Sequence, residues 1–251
     1  MGLSTTTAAR WVERWERQQQ LYAVDREERF EVIADLVEHV TRDRAVPLVL
    51  DLGSGPGCLA ARLAARLPTA EVIAVDADPL LLELGSAHYG PALRYVRTVI
   101  GEPGWLDALA LERPVDAVVS TTALHYLGTE TLRGVYRELA GLLRPGGILI
   151  NGDHISPDST KVSELAIDIG RRRSERTAVS LVEDWDSWWA GAAEDPELAR
   201  LLSHRADTGR PRCEGNDLTL SGHVALLRDA GFEHVGPVWQ VGPSHVLAAL
   251  R

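Results

Sequence analysis

Apolar positions along this chain fall into two alternating patterns. Short, largely apolar runs at Leu48 to Leu52, Glu71 to Val75, Leu93 to Val99, Val115 to Ser120 and Ile148 to Asp153 read as strands, and the stretches between them carry the wider spacing of amphipathic helices. Strands that alternate with helices imply a parallel sheet with right-handed crossovers and helices on both faces. In "LLRPGG", residues 142 to 147, Pro145 and Gly146 break one helix and turn the chain into the fifth strand. The closing "LSGHVALLRDAGFEHVGPVWQVGPSHVLAAL" reads as a helix ended by Gly231, then two short strands separated by Gly242 and Pro243.

Two regions stand outside the alternation. Residues 5 to 40 form a helical prelude with Arg14, Arg17, Arg26 and Arg29 on a charged face and Trp11, Trp15, Tyr22 and Phe30 on an apolar one. Residues 156 to 217 form a helical insertion with the tryptophan-rich "VEDWDSWWAGAAEDPELARLL". The expected layout is a helical cap over 1–45, an α/β core over 46–155, a second cap over 156–217, and a last helix and hairpin over 218–251 that complete the core.

Composition narrows the partners. At 251 residues and 45% hydrophobic the chain can bury a sizeable core. A net charge of −10 opposes a general nucleic-acid surface, which would need Lys and Arg against phosphate, so a small-molecule substrate is expected. The basic run Arg171 to Arg173 with Arg176 reads as a solvated helix face. No long apolar run suggests a membrane span, the start is too polar for a signal peptide, and Cys58 and Cys213 are too far apart for a disulfide framework or zinc knuckle. Gly2 and Thr6 match the short myristoylation pattern, which chance also produces. A cytoplasmic protein is expected, and its oligomeric state stays open.

"LVLDLGSGPG", residues 48 to 57, asks what its glycine turn holds. A phosphate loop of the GxxxxGK[ST] kind needs a lysine, and none is near. A dinucleotide fingerprint would place its third glycine at position 58, which is Cys58; the spacing is GxGxG. Asp51 just before the turn would repel pyrophosphate and favour an ammonium or sulfonium charge, and Asp76 at the next strand's tip can accept from both hydroxyls of a ribose. A phosphate-free, cationic nucleoside fits best.

"VLDLGSGPG", "AVDADP", "VDAVVSTTALHYL" and "LLRPGGILINGDH" together resemble the ordered motifs of class I S-adenosylmethionine (SAM)-dependent methyltransferases of the small-molecule type, over about residues 46 to 154. The resemblance implies a doubly wound, mostly parallel seven-stranded sheet of Rossmann-like kind, α/β in class, with a terminal antiparallel hairpin, and SAM as cofactor with S-adenosylhomocysteine (SAH) as product. It implies that Asp51, Gly53, Gly55 and Gly57 border the methionine half of SAM, Asp76 binds the ribose, Ala77 and Leu81 lie near the adenine, and the Ser120 backbone meets the methionine amino group. In place of the acid that many relatives carry after the third strand stand Val99 and Ile100, leaving Glu102 or the backbone for the adenine amino group.

A base is needed only where the acceptor must lose a proton, and histidine suits that task. His125 in "TTALHYL" and His154 in "NGDH" are the candidate catalysts, with a structural histidine as the competing role for each; Asp153 would orient His154 or be a bare strand-end acid. The other histidines, His39, His88, His204, His223, His234 and His245, are expected away from the cleft. Asp153 alone does not supply the acid cluster of a metal site, and "STTALHYL" stands where an NPPY-type signature would mark nucleobase or protein-glutamine acceptors. Trp11, Trp15 and Tyr22 with Trp185, Trp188 and Trp189 can enclose an apolar acceptor or simply pack the added helices. Of these, Trp11, Tyr22, Trp185 and Trp189 are the candidate substrate contacts. Arg26 and Arg29 can meet the SAM carboxylate or an acidic substrate, or form surface ion pairs. The expected activity is methyl transfer to an O, N or C atom of a metabolite. The alternatives are cyclisation or decarboxylation at the same site, or a non-catalytic SAM-binding module.

Overall fold

The computed structural model describes residues 2–23, 25–177, 183–207 and 214–251, the side chains of 177 and 203–207 excepted. Cys213 and the side chain of His204 lie outside the described residues. Seven strands form one sheet in the order β3-β2-β1-β4-β5-β7-β6. They are β1 (Leu48–Leu52), β2 (Glu71–Asp76), β3 (Arg94–Arg97), β4 (Val115–Thr121), β5 (Leu143–His154), β6 (His234–Val241) and β7 (Ser244–Leu250). The first five run parallel; β7 joins β5 antiparallel and β6 joins β7 antiparallel. Every residue of β1 is buried, as a strand covered on both faces requires. The chain winds outward from β1 through β2 to β3 and returns to β4 on β1's other side, so the switch point lies between β1 and β4.

Nine α-helices occur among the described residues: α1 (Thr5–Gln19), α2 (Arg26–Thr41), α3 (Cys58–Arg66), α4 (Pro79–Tyr89), α5 (Thr129–Leu142), α6 (Thr160–Thr177), α7 (Trp185–Glu194), α8 (Pro196–Asp207) and α9 (Leu220–Asp229). Their starts follow local chemistry. Ser4 caps α1 by accepting from the Thr7 N–H, and Asp78 caps α4 ahead of Pro79 in its first turn. Helices α1 to α4, with Trp188, Ala192 and Leu198 of α7 and α8, bury Val49, Ala74, Val119 and Ile150 on one face of the sheet. On the other face α5 and α9 cover Leu50, Val75, Val118 and Leu149. Among the described residues no helix is long and apolar enough to cross a membrane.

Two expectations shift. Strand β5 begins at Leu143, five residues before Ile148, because the Arg-Pro-Gly-Gly stretch joins the strand as a bulge, with Gly146 at φ +72, between the Val115–Leu143 and Ala117–Ile148 pairs. Its bulge is held by Arg144 on the buried Asp116 and by backbone bonds to Arg251. Arg26 and Arg29 leave the charged face of the prelude and are buried.

Candidate active site

The turn after β1 is fastened to β2 by its backbone. The Gly53 and Ser54 N–H groups donate to the Val75 carbonyl at 2.8 and 3.0 Å. The Asp76 carboxylate accepts from Gly55 N–H and Asp78 N–H, each at 2.8 Å. Gly53, Gly55 and Gly57 all sit at positive φ, and a Cβ on Gly53 would lie 2.2 Å from that of Ala123, so the β4 loop closes against a position only glycine fills. Asp51, at the end of β1, accepts from Ala60 N–H in the first turn of α3 at 3.1 Å through one oxygen; its buried Oδ1 has no donor. Burial pushes Asp51 up to about 7, opposed by the Ala60 bond and assisted by the Asp76 charge. Loss of water likewise raises Asp76 to about 6 against its backbone N–H donors.

Strands β4 and β5 deliver the opposite wall. Thr121 ends β4, and Thr122 follows at φ +50, a strained setting for a β-branched residue, with its N–H donating to the Gly152 carbonyl at 2.9 Å. His125 then lies on a short helical turn, Leu124–Tyr126, with its side chain about one-third exposed. Its Nδ1 donates to Asp153 Oδ1 at 2.8 Å and its backbone N–H to Oδ2 at 3.3 Å. Asp153 is buried at the end of β5 and therefore orients His125, not the ring of His154. Successive strand residues project to opposite faces, so Asp153 meets only the backbone N–H of His154, at 2.8 Å. His154 itself is exposed at the rim; partial desolvation and the Arg29 charge hold its imidazole below the usual range. His245, expected elsewhere, stands opposite Asp153 in the β5–β7 ladder. Ser120 is buried, its hydroxyl donating to the Leu52 carbonyl at 2.8 Å and tying β4 to β1.

The two prelude arginines part company. Arg26 is buried in an ion pair with Glu16, which also binds Arg62. Arg29 is fully buried over Gly152 and reaches only Ser244 Oγ, at 3.3 Å from Nη1. The tryptophans of α1 and α7 interlock: Trp11 and Trp15 meet Trp188 at 5.3 and 5.1 Å between ring centroids, Trp15 meets Trp185 at 5.4 Å, and Trp188 meets Trp189 at 4.9 Å. Trp11 is buried and donates to Asp195 at 2.9 Å, so its contacts join helices; the half-exposed Tyr22 accepts the Trp185 N–H at 3.0 Å. Trp15 packs over the glycine turn, 3.3 Å from where a Gly55 Cβ would lie. Beyond β2, Ala77 is half-buried, while Leu81 points into the core. Ile100 packs on the far-side core, and Glu102 is exposed.

Residues 49–147 match a methyltransferase domain family. A trans-aconitate 2-methyltransferase of Methylobacterium radiotolerans is 35% identical over 228 residues, 91% of this chain and 73% of the relative. The chain belongs to the class I SAM-dependent methyltransferase family. An uncharacterized methyltransferase of Mycobacterium tuberculosis is 38% identical over 123 residues, 46% of this chain and 56% of the relative, so the match spans about half of that protein. Solved structures agree in fold. An O-methyltransferase family protein from Burkholderia thailandensis superposes with a TM-score of 0.54 at 19% identity, over 88% of this chain and 55% of that one. The apo SAM-dependent methyltransferase SibL gives 0.52 at 20% identity, over 86% and 53%. The chain's own residues fit the family cofactor: the orphaned Asp51 Oδ1 is a buried carboxyl acceptor that a cationic ligand would favour in its charged form, beside glycines that leave the turn backbone bare.

Proposed function

We propose that this methyltransferase transfers a methyl group from SAM to a protic oxygen of a small-molecule acceptor, with His125 as general base. The observation that carries the reading is the 2.8 Å bond from His125 Nδ1 to the buried Asp153. A carboxylate accepts only, so Asp153 keeps the proton on Nδ1 and leaves the Nε2 lone pair for the acceptor. SAM supplies an electrophilic methyl on a sulfonium. The turn Gly53 to Gly57 with Asp51 binds and orients its methionine end; Asp76, with lone pairs left after two backbone bonds, takes the ribose; Ala77 lines the adenine side and Ser120 offers backbone to the amino group. Gly57, ahead of α3, lets the turn pass into the helix at φ +88. The relatives named for trans-aconitate support a metabolite acceptor. The helices of residues 1–45 and 156–217 form its cover, and orientation under that cover provides most of the acceleration.

The test is His125→Ala and His125→Asn with SAH affinity and single-turnover methyl transfer measured side by side. Loss of His125 lowers turnover by roughly 10²- to 10⁴-fold with SAH affinity unchanged, and Asn does not restore it because an amide takes no proton. A folded, fully active alanine variant contradicts the base assignment.

A further inference from the structure

Arg29 is a buried cation that the fold leaves unsatisfied. Its side chain is fully enclosed, its Nε and Nη2 have no hydrogen-bond partner, and its one bond, from Nη1 to Ser244 Oγ, is a neutral one of 3.3 Å. Desolvation lowers its pKa to about 10, and only the nearby Asp153 charge works against that. Asp153 is itself engaged by His125 and by the His154 backbone. A buried guanidinium with two free donors is destabilising unless an anion completes it.

The position says which anion. Helix α2 crosses β4, β5 and β7, and its first turn sets the Arg29 stem against Gly152, where a Cβ would meet the Arg29 Cδ at 3.3 Å. Ser244 lies beside His154 in the β5–β7 ladder, and His154 shares the Gly152 face of β5. In the sheet order β5 is two strands from β1 and β7 is three, so this point is about 10 to 14 Å across the sheet from the glycine turn. Arg26, one turn earlier, is closed off by Glu16. Arg29 therefore stands at the β5–β7 end of the site, near enough to Asp153, the partner of His125, to feel its charge, and away from the turn that would take the methionine carboxylate.

Resting on the methyltransferase reading above, we infer that Arg29 is a specificity residue that grips a carboxylate of the acceptor through its free Nε and Nη2, with Ser244 and His154 beside it. The substrate class is then an acid whose protic oxygen faces His125. Nε and one Nη form the fork that binds a carboxylate with two parallel bonds.

The experiment titrates SAH-loaded protein with trans-aconitate, citrate, malonate, benzoate and salicylate, each beside its primary amide, for wild type, Arg29→Met and Arg29→Lys, and measures SAH affinity separately. At least one acid is expected to bind about tenfold or more tightly than its amide, Met to erase that preference, Lys to keep part of it, and all three proteins to bind SAH alike. If Arg29→Met does not fold, the Lys variant decides, by a weakened acid preference at unchanged SAH affinity. A wild type with no acid preferred to its amide overturns the inference. So does a preference that survives both substitutions, or a loss that falls on SAH instead, which would assign Arg29 to the cofactor carboxylate. Wild type that binds no SAH fails the methyltransferase reading itself, and the inference with it.

Discussion

Asp51 and Asp76 make the ligand-free protein sensitive to pH in an uncommon direction. Both carboxyls are raised from the ordinary 3.8, Asp51 to about 7 and Asp76 to about 6, chiefly by loss of water. Between the unfolded and folded values the folded state holds more protons, so stability falls as pH rises from about 4 to about 7. Thermal melts across that range are expected to show the decline, and Asp51→Asn to flatten it. A cationic ligand reverses the local preference, so SAM binding releases protons and tightens through pH 6 to 7, measurable by calorimetry in two buffers of different ionisation enthalpy. Thr122 supplies a second test: at φ +50, Thr122→Gly relieves a strain of about 1 kcal/mol or more and raises the melting temperature. At this scale the glycines and strand-end acids were legible because their spacing is local. For Asp153 the sequence offered His154 as a partner or no partner at all; the bond to His125 was not legible because it joins positions 28 residues apart, and strand alternation keeps the side chains of Asp153 and His154 from meeting.

Among the elements, α1 and α7 depend on one another through Trp188, which is fully buried between Trp11, Trp15 and Trp189. Trp188→Ala is expected to cost about 3 to 5 kcal/mol and to open the segment around α7 to limited proteolysis before the sheet melts. The helical spacing of these tryptophans was plain in sequence, but spacing does not say whether an aromatic face meets a ligand or another helix. The same limit applied to α2: its pattern put Arg29 with the charged residues, whereas packing on β5 and β7 buries it. The early start of β5 was hidden by Pro145 and Gly146, whose breaking tendency is absorbed by a bulge secured through Asp116, a contact remote in sequence.

For the whole molecule, the alternation of strands and helices was enough to give a parallel sheet with right-handed crossovers, while the doubly wound, seven-stranded form with its antiparallel close came from the family resemblance, and the sheet has that form. The proposed acceptor side was legible only as separate candidates, His125, His154 and Arg29, because α2, the β4 loop and the ends of β5 and β7 are joined by no local motif. The central claim is that the glycine turn with Asp51 and Asp76 holds SAM. Isothermal titration of SAH into the purified protein and into Asp76→Ala tests it most directly. One equivalent of SAH is expected to bind wild type, and the variant to bind at least about tenfold more weakly, the loss of charge-assisted bonds to the ribose. Equal binding by both proteins would remove Asp76 from the site, and no binding heat with wild type would contradict the account.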